Sequence, residues 1–197
     1  PVRANQKMRR KLFGWLASVS ERRRGGASVS FKKGSRIFKQ RAQEERYFMS
    51  IRYRQIKSPD SQIVAKLIKD FYKEVPSIRG ISDKKISRTF SAFSADPGKG
   101  EFLVIAKGEI IIGYALLANF WSNEWGGNVL FLDEIYLKPA FRGQGIGRDF
   151  INYLIKKKYN HATAIQLEVS PTNKKARALY ESIGFKPYQN EYLLYNL

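Results

Sequence analysis

The strongest constraint on this chain is a glycine-rich string, Arg142-Gly143-Gln144-Gly145-Ile146-Gly147, set between two contrasting patterns. Before it, Val129 to Leu137 is a β-branched and aliphatic run, apolar on both faces, which predicts a buried central strand ended by Pro139. After it, the spacing predicts a helix from Gly145 to about Lys158. Glycines at a strand-to-helix junction let backbone amides come close to a ligand. The free N–H groups and positive dipole end of the new helix then favour phosphate oxygens. Arg142 and Arg148 can add charge-assisted hydrogen bonds. The glycines are too closely spaced for a dinucleotide fingerprint, and no Gly-Lys-Ser/Thr ending marks a nucleotide P-loop.

The rest of the chain surrounds this junction with alternating elements. Ile51–Ile56 predicts a strand, and Pro59-Asp60-Ser61 opens a helix with a stripe of Ile63, Leu67, Phe71 and Val75. Ser82-Asp83 caps a second helix that runs to about Phe93. Phe102–Ala106 and Ile110–Phe120 form a hairpin about Lys107-Gly108. Downstream come a strand over Ala164–Val169, a helix over Asn173–Ser182 stopped by Gly184, and short strands over Phe185–Tyr188 and Tyr192–Tyr195. This order predicts an α/β fold, a mixed central sheet flanked by helices.

Charge divides the chain unevenly. Residues 1–48 carry 14 Lys/Arg against 3 Glu, a net of +11 out of a total of +19. We read 1–48 as a basic extension outside the fold, partly helical or disordered, and 49–197 as the folded domain. Met49 itself reads as a translation start, which would make 1–48 a leader or a fused segment. Met8, Leu12, Trp15, Leu16 and Val19 lie at helical spacing among arginines. Such a segment suits nucleic acid, an anionic membrane or an acidic protein face. There is no cysteine and one histidine, His161, so disulfides, a thiolate nucleophile and a His-rich metal site are excluded. A reducing, cytoplasmic location fits, or an organellar one if 1–48 is a leader. No apolar run reaches the roughly 20 residues of a membrane span.

The glycine string closely resembles motif A of the GNAT superfamily of N-acetyltransferases, R/Q-x-x-G-x-G/A, with Arg142, Gly145 and Gly147 at the defining positions. Asn173 to Phe185 resembles the family's motif B, N-x-x-A-x-x-x-Y-x-x-x-G-F, in the right order and separation. The resemblance runs from about Ile51 to Leu197. It implies a GNAT-like fold, acetyl-CoA as co-substrate without a metal, and transfer of the acetyl group to an amine by direct attack in a ternary complex. It further implies that the pantetheine arm pairs with backbone at Ile135, Tyr136 and Leu137. The pyrophosphate would sit on the amides of Arg142, Gly143, Gln144, Gly145, Ile146 and Gly147, with Arg148 beside it. Asn173 and Tyr180 would approach the thioester, Tyr180 as general acid for the departing thiolate. Read from the residues alone, Asn173 is equally a helix cap and Tyr180 a packed aromatic.

A base must take the ammonium proton, and Asp133 and Glu134 are the candidates. Strict alternation sends them to opposite faces, and a bulge would change which one faces the amine. Either could instead pair with a nearby Lys or Arg. Trp121-Ser122-Asn123-Glu124-Trp125-Gly126-Gly127 resembles a turn found in a subset of the family. Trp121, Asn123 and Glu124 are candidate contacts for a cationic amine, the other reading being a rigid hairpin with packed indoles. A homodimer is a further expectation. The alternative function is a GNAT-fold binding module, anchored by 1–48 to nucleic acid or a larger assembly.

Overall fold

A computed structural model describes residues 50–75, 80–188 and 193–195. The helix expected near Met8–Val19 lies outside the described residues. Five strands form one sheet in sequence order: β1 (Ile51–Gln55), β2 (Gly100–Lys107), β3 (Ile110–Ser122), β4 (Gly127–Leu137) and β5 (Ala164–Leu167). The first four pair antiparallel, and β5 joins β4 in parallel. The helices are α1 (Ser61–Glu74), α2 (Asp83–Ala95), α3 (Ile146–Lys157) and α4 (Lys174–Ile183).

Two apolar layers explain why β2 to β4 carry so few polar residues. On one face Phe102, Val104, Tyr114 and Leu116 meet Val64, Leu67 and Ile68 of α1 and Ile86 of α2. On the other, Leu103, Ile105, Leu117, Leu130 and Leu132 meet Phe150, Ile151 and Leu154 of α3. Strands covered on both sides read as continuous apolar runs.

The buried stripe of α1 keeps Leu67 and Phe71 of the expected set and differs from it at the two ends. Val64, Leu67, Ile68 and Phe71 face the sheet at i, i+3, i+4 and i+7, while Ile63 and Val75 remain 45% and 41% exposed. α2 begins where Ser82 predicts, its hydroxyl accepting from the Lys85 amide at 3.3 Å.

The expected terminal strands are absent at 185–188 and 193–195; Tyr192 lies outside the described residues. Pro187 has no amide to give to a ladder. Phe185 instead packs on Tyr180, with ring centroids 6.0 Å apart. β5 is also shorter than expected, ending at Leu167 rather than Val169. Its partner β4 bends away there, and that bend builds the site.

Candidate active site

The bend is a β-bulge at Asp133. Leu116 pairs with Glu134 and Leu117 with Leu132, so Asp133 has no partner on β3. One extra residue reverses the alternation beyond it. Leu130 and Leu132 face the α3 side, but Ile135 joins them there, and Glu134 and Tyr136 turn to the α1 side. The β4–β5 ladder stops at the same point, its last pair being Leu132 with Leu167. From Glu134 to Leu137, β4 remains paired to β3 while its other edge faces no strand. An edge without a strand partner can pair with an extended ligand, although the Leu137 carbonyl already accepts from Arg142 Nε at 2.7 Å.

A cleft of about 540 Å³ fills the gap. Leu132, Asp133 and Ile135 form one wall, and Glu168 with Val169 forms the other. Asn173 and Tyr180 of α4 and Phe71 and Glu74 of α1 complete it. Acids far apart in sequence thus converge: Glu74, Asp133 and Glu168 all line the cleft, and no Lys or Arg does among the described residues. Glu168 was not singled out by sequence reading. Its position just past β5, beside Asp133, depends on where the two strands part.

The two candidate bases have different surroundings. Asp133 stays open to the cleft, yet burial and then the charge of Glu168 hold its carboxyl above the usual range. Glu134 is only 7% exposed and points to the opposite face. Its Oε2 accepts from the Tyr114 hydroxyl at 2.7 Å, and Tyr72 is a second hydrogen-bond partner. Burial raises its carboxyl and these two tyrosines oppose the rise. Neither acid has a Lys or Arg partner among the described ion pairs.

The glycine string forms the entry to α3. Gly143 and Gly145 lie at φ +74° and +82°, and Gly145 is the N-cap of the helix. A side chain at either would meet no atom within 4 Å, so the requirement is conformational rather than steric. No amide from Gly143 to Arg148 donates to a backbone carbonyl among the described residues. Such a row of open donors at a helix start has the geometry that suits an anion. The arginines are held elsewhere. The Arg142 guanidinium grips Glu74, and Arg148 donates from Nη2 to Ser182 Oγ at 2.7 Å.

Asn173 caps α4, its Oδ1 accepting from the Ala176 amide at 3.1 Å, and also lines the cleft. Tyr180 projects from α4 into the cleft, and burial lifts its hydroxyl above the ordinary phenol value. The structure does not bring Trp121, Asn123 and Glu124 to this place. Trp121 pairs with Asn128, five residues along β4 from Asp133, or roughly 17 Å of strand. Trp121 and Trp125 are 73% and 50% exposed rather than packed, and Glu124 accepts from the Tyr188 hydroxyl at 2.6 Å.

A mixed sheet split at a bulge thus carries a cleft beside the edge of β4 that has no strand partner and, at the start of α3, a row of open amides. The acetyltransferase (GNAT) family model matches residues 63–185, and the chain belongs to that family. The thialysine N-epsilon-acetyltransferase of Mus musculus is 35% identical over 89 residues, 45% of this chain and 49% of the relative. The Bos taurus protein of the same name is 34% identical over 79 residues, covering 40% and 46%. The chain spans about half the length of the curated relatives it matches. Among solved structures, a possible acetyltransferase from Clostridium difficile 630 has TM-score 0.66 at 21% identity, over 75% of this chain and 97% of that one. The enzyme AAC(6')-Iy, in complex with the bisubstrate analogue CoA-S-monomethyl-acetylneamine, has TM-score 0.60 at 18% identity, over 75% and 98%. At those identities the likeness concerns the fold. No helix among the described residues is long and apolar enough to cross a membrane.

Proposed function

We propose that this chain transfers an acetyl group from acetyl-CoA to an amine, small-molecule or protein, by direct attack in a ternary complex. One observation carries the reading: the Asp133 bulge gives β4 an edge without a strand partner, and the cleft beside it holds a carboxylate and a phenol on its walls. The amides of residues 143–148 receive the pyrophosphate, and Ile135, Tyr136 and Leu137 offer backbone to the pantetheine arm. The thialysine N-epsilon-acetyltransferases and AAC(6')-Iy support this chemistry by name.

The residues divide the proton traffic. An ammonium has no lone pair, so Asp133, directly or through a water, accepts its proton. Its raised affinity for protons makes it a better base than an ordinary aspartate. As the new C–N bond forms and the C–S bond breaks, Tyr180 gives its proton to the departing sulfur, and the second proton shed by the acylated nitrogen restores the Tyr180 hydroxyl. Asn173 holds the start of α4 and so the placement of Tyr180. The bulge favours Asp133 over Glu134 as base, because it leaves Glu134 on the far face with Tyr114 and Tyr72. Asp133 and Glu168, cleft carboxylates with no ion-pair partner among the described residues, favour a cationic acceptor, whereas the charge of Glu74 is balanced by Arg142.

The test is release of CoA thiol across a panel of diamines, amino acids and peptides. Turnover by any of them supports the proposal. Failure of CoA to bind at millimolar concentration would sink it.

The charge of residues 1–48 supports a second role, attachment to nucleic acid or an acidic assembly. That association should weaken steeply with salt and vanish when 1–48 is deleted. Binding indifferent to salt would refute it.

A further inference from the structure

Glu74 is an acid in the last turn of α1, where the negative end of the helix dipole disfavours it. Both of its oxygens are engaged. Arg142 Nη2 donates to Oε1 at 2.9 Å and Nη1 lies 2.8 Å from Oε2, a two-pronged contact. The Tyr136 hydroxyl donates to Oε1 at 3.1 Å. The same guanidinium donates from Nε to the Leu137 carbonyl at 2.7 Å and stands 5.0 Å from the centre of the Tyr136 ring. The end of α1, the end of β4 and the entry to the glycine loop therefore meet at one side chain. The Arg142 amide, bonded to the Pro139 carbonyl at 3.2 Å, is the last paired amide before the open row.

This arrangement leaves the arginine's hydrogen-bonding fork committed to protein. The amides alone form the cradle, and Arg142 fixes the backbone that leads into Gly143. We propose that Glu74 is a positioning residue for the cradle: by clamping Arg142 it keeps the amides of residues 143–148 open and aimed before acetyl-CoA arrives. The inference rests on the reading of that loop as the pyrophosphate site. It makes a helix from the other side of the cleft part of cofactor binding, a contribution that Glu74 shows in no sequence motif.

A rival role has the opposite sign. If Glu74 merely sequestered Arg142 from the phosphate, removing the acid would release a cation to the ligand and tighten binding. Preorganisation predicts loosening.

The experiment is calorimetric titration of the full chain with CoA, for wild type, Glu74→Gln, Arg142→Ala, Arg142→Lys and the Glu74→Gln/Arg142→Ala double variant. Glu74→Gln should weaken CoA binding about tenfold, and Arg142→Lys, which keeps the charge but loses the fork, by a similar factor. The double variant should bind within about twofold of Arg142→Ala, because the two residues act as one unit. In turnover, Glu74→Gln should raise KM for acetyl-CoA while kcat stays within about twofold, a split that a general loss of fold would not give. Unchanged or tighter binding by Glu74→Gln, or a full additive loss in the double variant, overturns the inference. Absence of CoA binding by the wild-type chain refutes the reading of the loop itself, and is distinguished by that control.

Discussion

Replacing Tyr180 by phenylalanine removes one oxygen from the cleft and little else. The ring contact with Phe185, 6.0 Å between centroids, is kept, as is the bond from the Phe185 amide to the Tyr180 carbonyl at 3.1 Å. Burial is the one influence acting on the hydroxyl's proton, with no charged partner contributing. Loss of the oxygen should therefore change unfolding free energy by no more than about 0.5 kcal/mol. Loss of a positioned general acid typically costs about 10²–10⁴ in rate, equivalent to about 2.7–5.5 kcal/mol of barrier at 1.36 kcal/mol per decade. The expected variant binds CoA as wild type does, melts within a few degrees of it, and turns over at least a hundredfold more slowly. Its hydroxyl holds its proton above the ordinary value of 10.0, so no loss of wild-type kcat below pH 10 should trace to Tyr180. The assay is thiol release under saturating acetyl-CoA and amine, from pH 6 to 10. A variant with intact CoA binding and kcat within threefold of wild type would refute the assignment.

Other perturbations separate the remaining contributions. Asp133→Asn should lower kcat by about 10²–10⁴. Because its folded-state carboxyl is raised, the stability Asp133 contributes is present below its ordinary range and lost as pH rises through the raised value. The asparagine variant should thus gain stability relative to wild type on going from pH 3 to pH 8, as read by denaturant midpoints; an advantage that grows toward acid would contradict this. Tyr114→Phe strips a donor from buried Glu134 and should cost about 1–3 kcal/mol in urea unfolding while leaving CoA affinity unchanged. Gly113→Ala would put a methyl 2.2 Å from the Tyr136 carbonyl oxygen, a backbone atom that cannot step aside. It should destabilise by more than about 3 kcal/mol in the same measurement, since it forces β3 from β4.

Much of the architecture was written locally. Ser82 and Asn173 announce helix starts through their side-chain oxygens, and both cap as expected. Gly108 turns a hairpin, and the apolar runs of β2, β3 and β4 show that both sheet faces are covered. The glycine string located the row of open amides because donors left unpaired at a helix start are a local property of a short stretch of chain. The ends of the α1 stripe were less legible, since Ile63 and Val64 differ little in sequence and only the docking angle selects between them.

By itself, then, the sequence determined most of the elements and their order, though not the fate of its terminal segments, together with the glycine loop at the start of α3 and the chemical types available at the site. Tertiary structure decided which of them meet. Register across β3 and β4 is a long-range quantity, and the extra residue at Asp133 is invisible until Leu116 and Leu117 choose their partners. That choice turns Glu134 away, ends β5 at Leu167, opens the cleft and seats Glu168 beside Asp133. It also leaves Glu74, 68 residues before Arg142, in reach of its guanidinium. Contacts between residues so far apart follow from packing of whole elements, which no short stretch of sequence encodes.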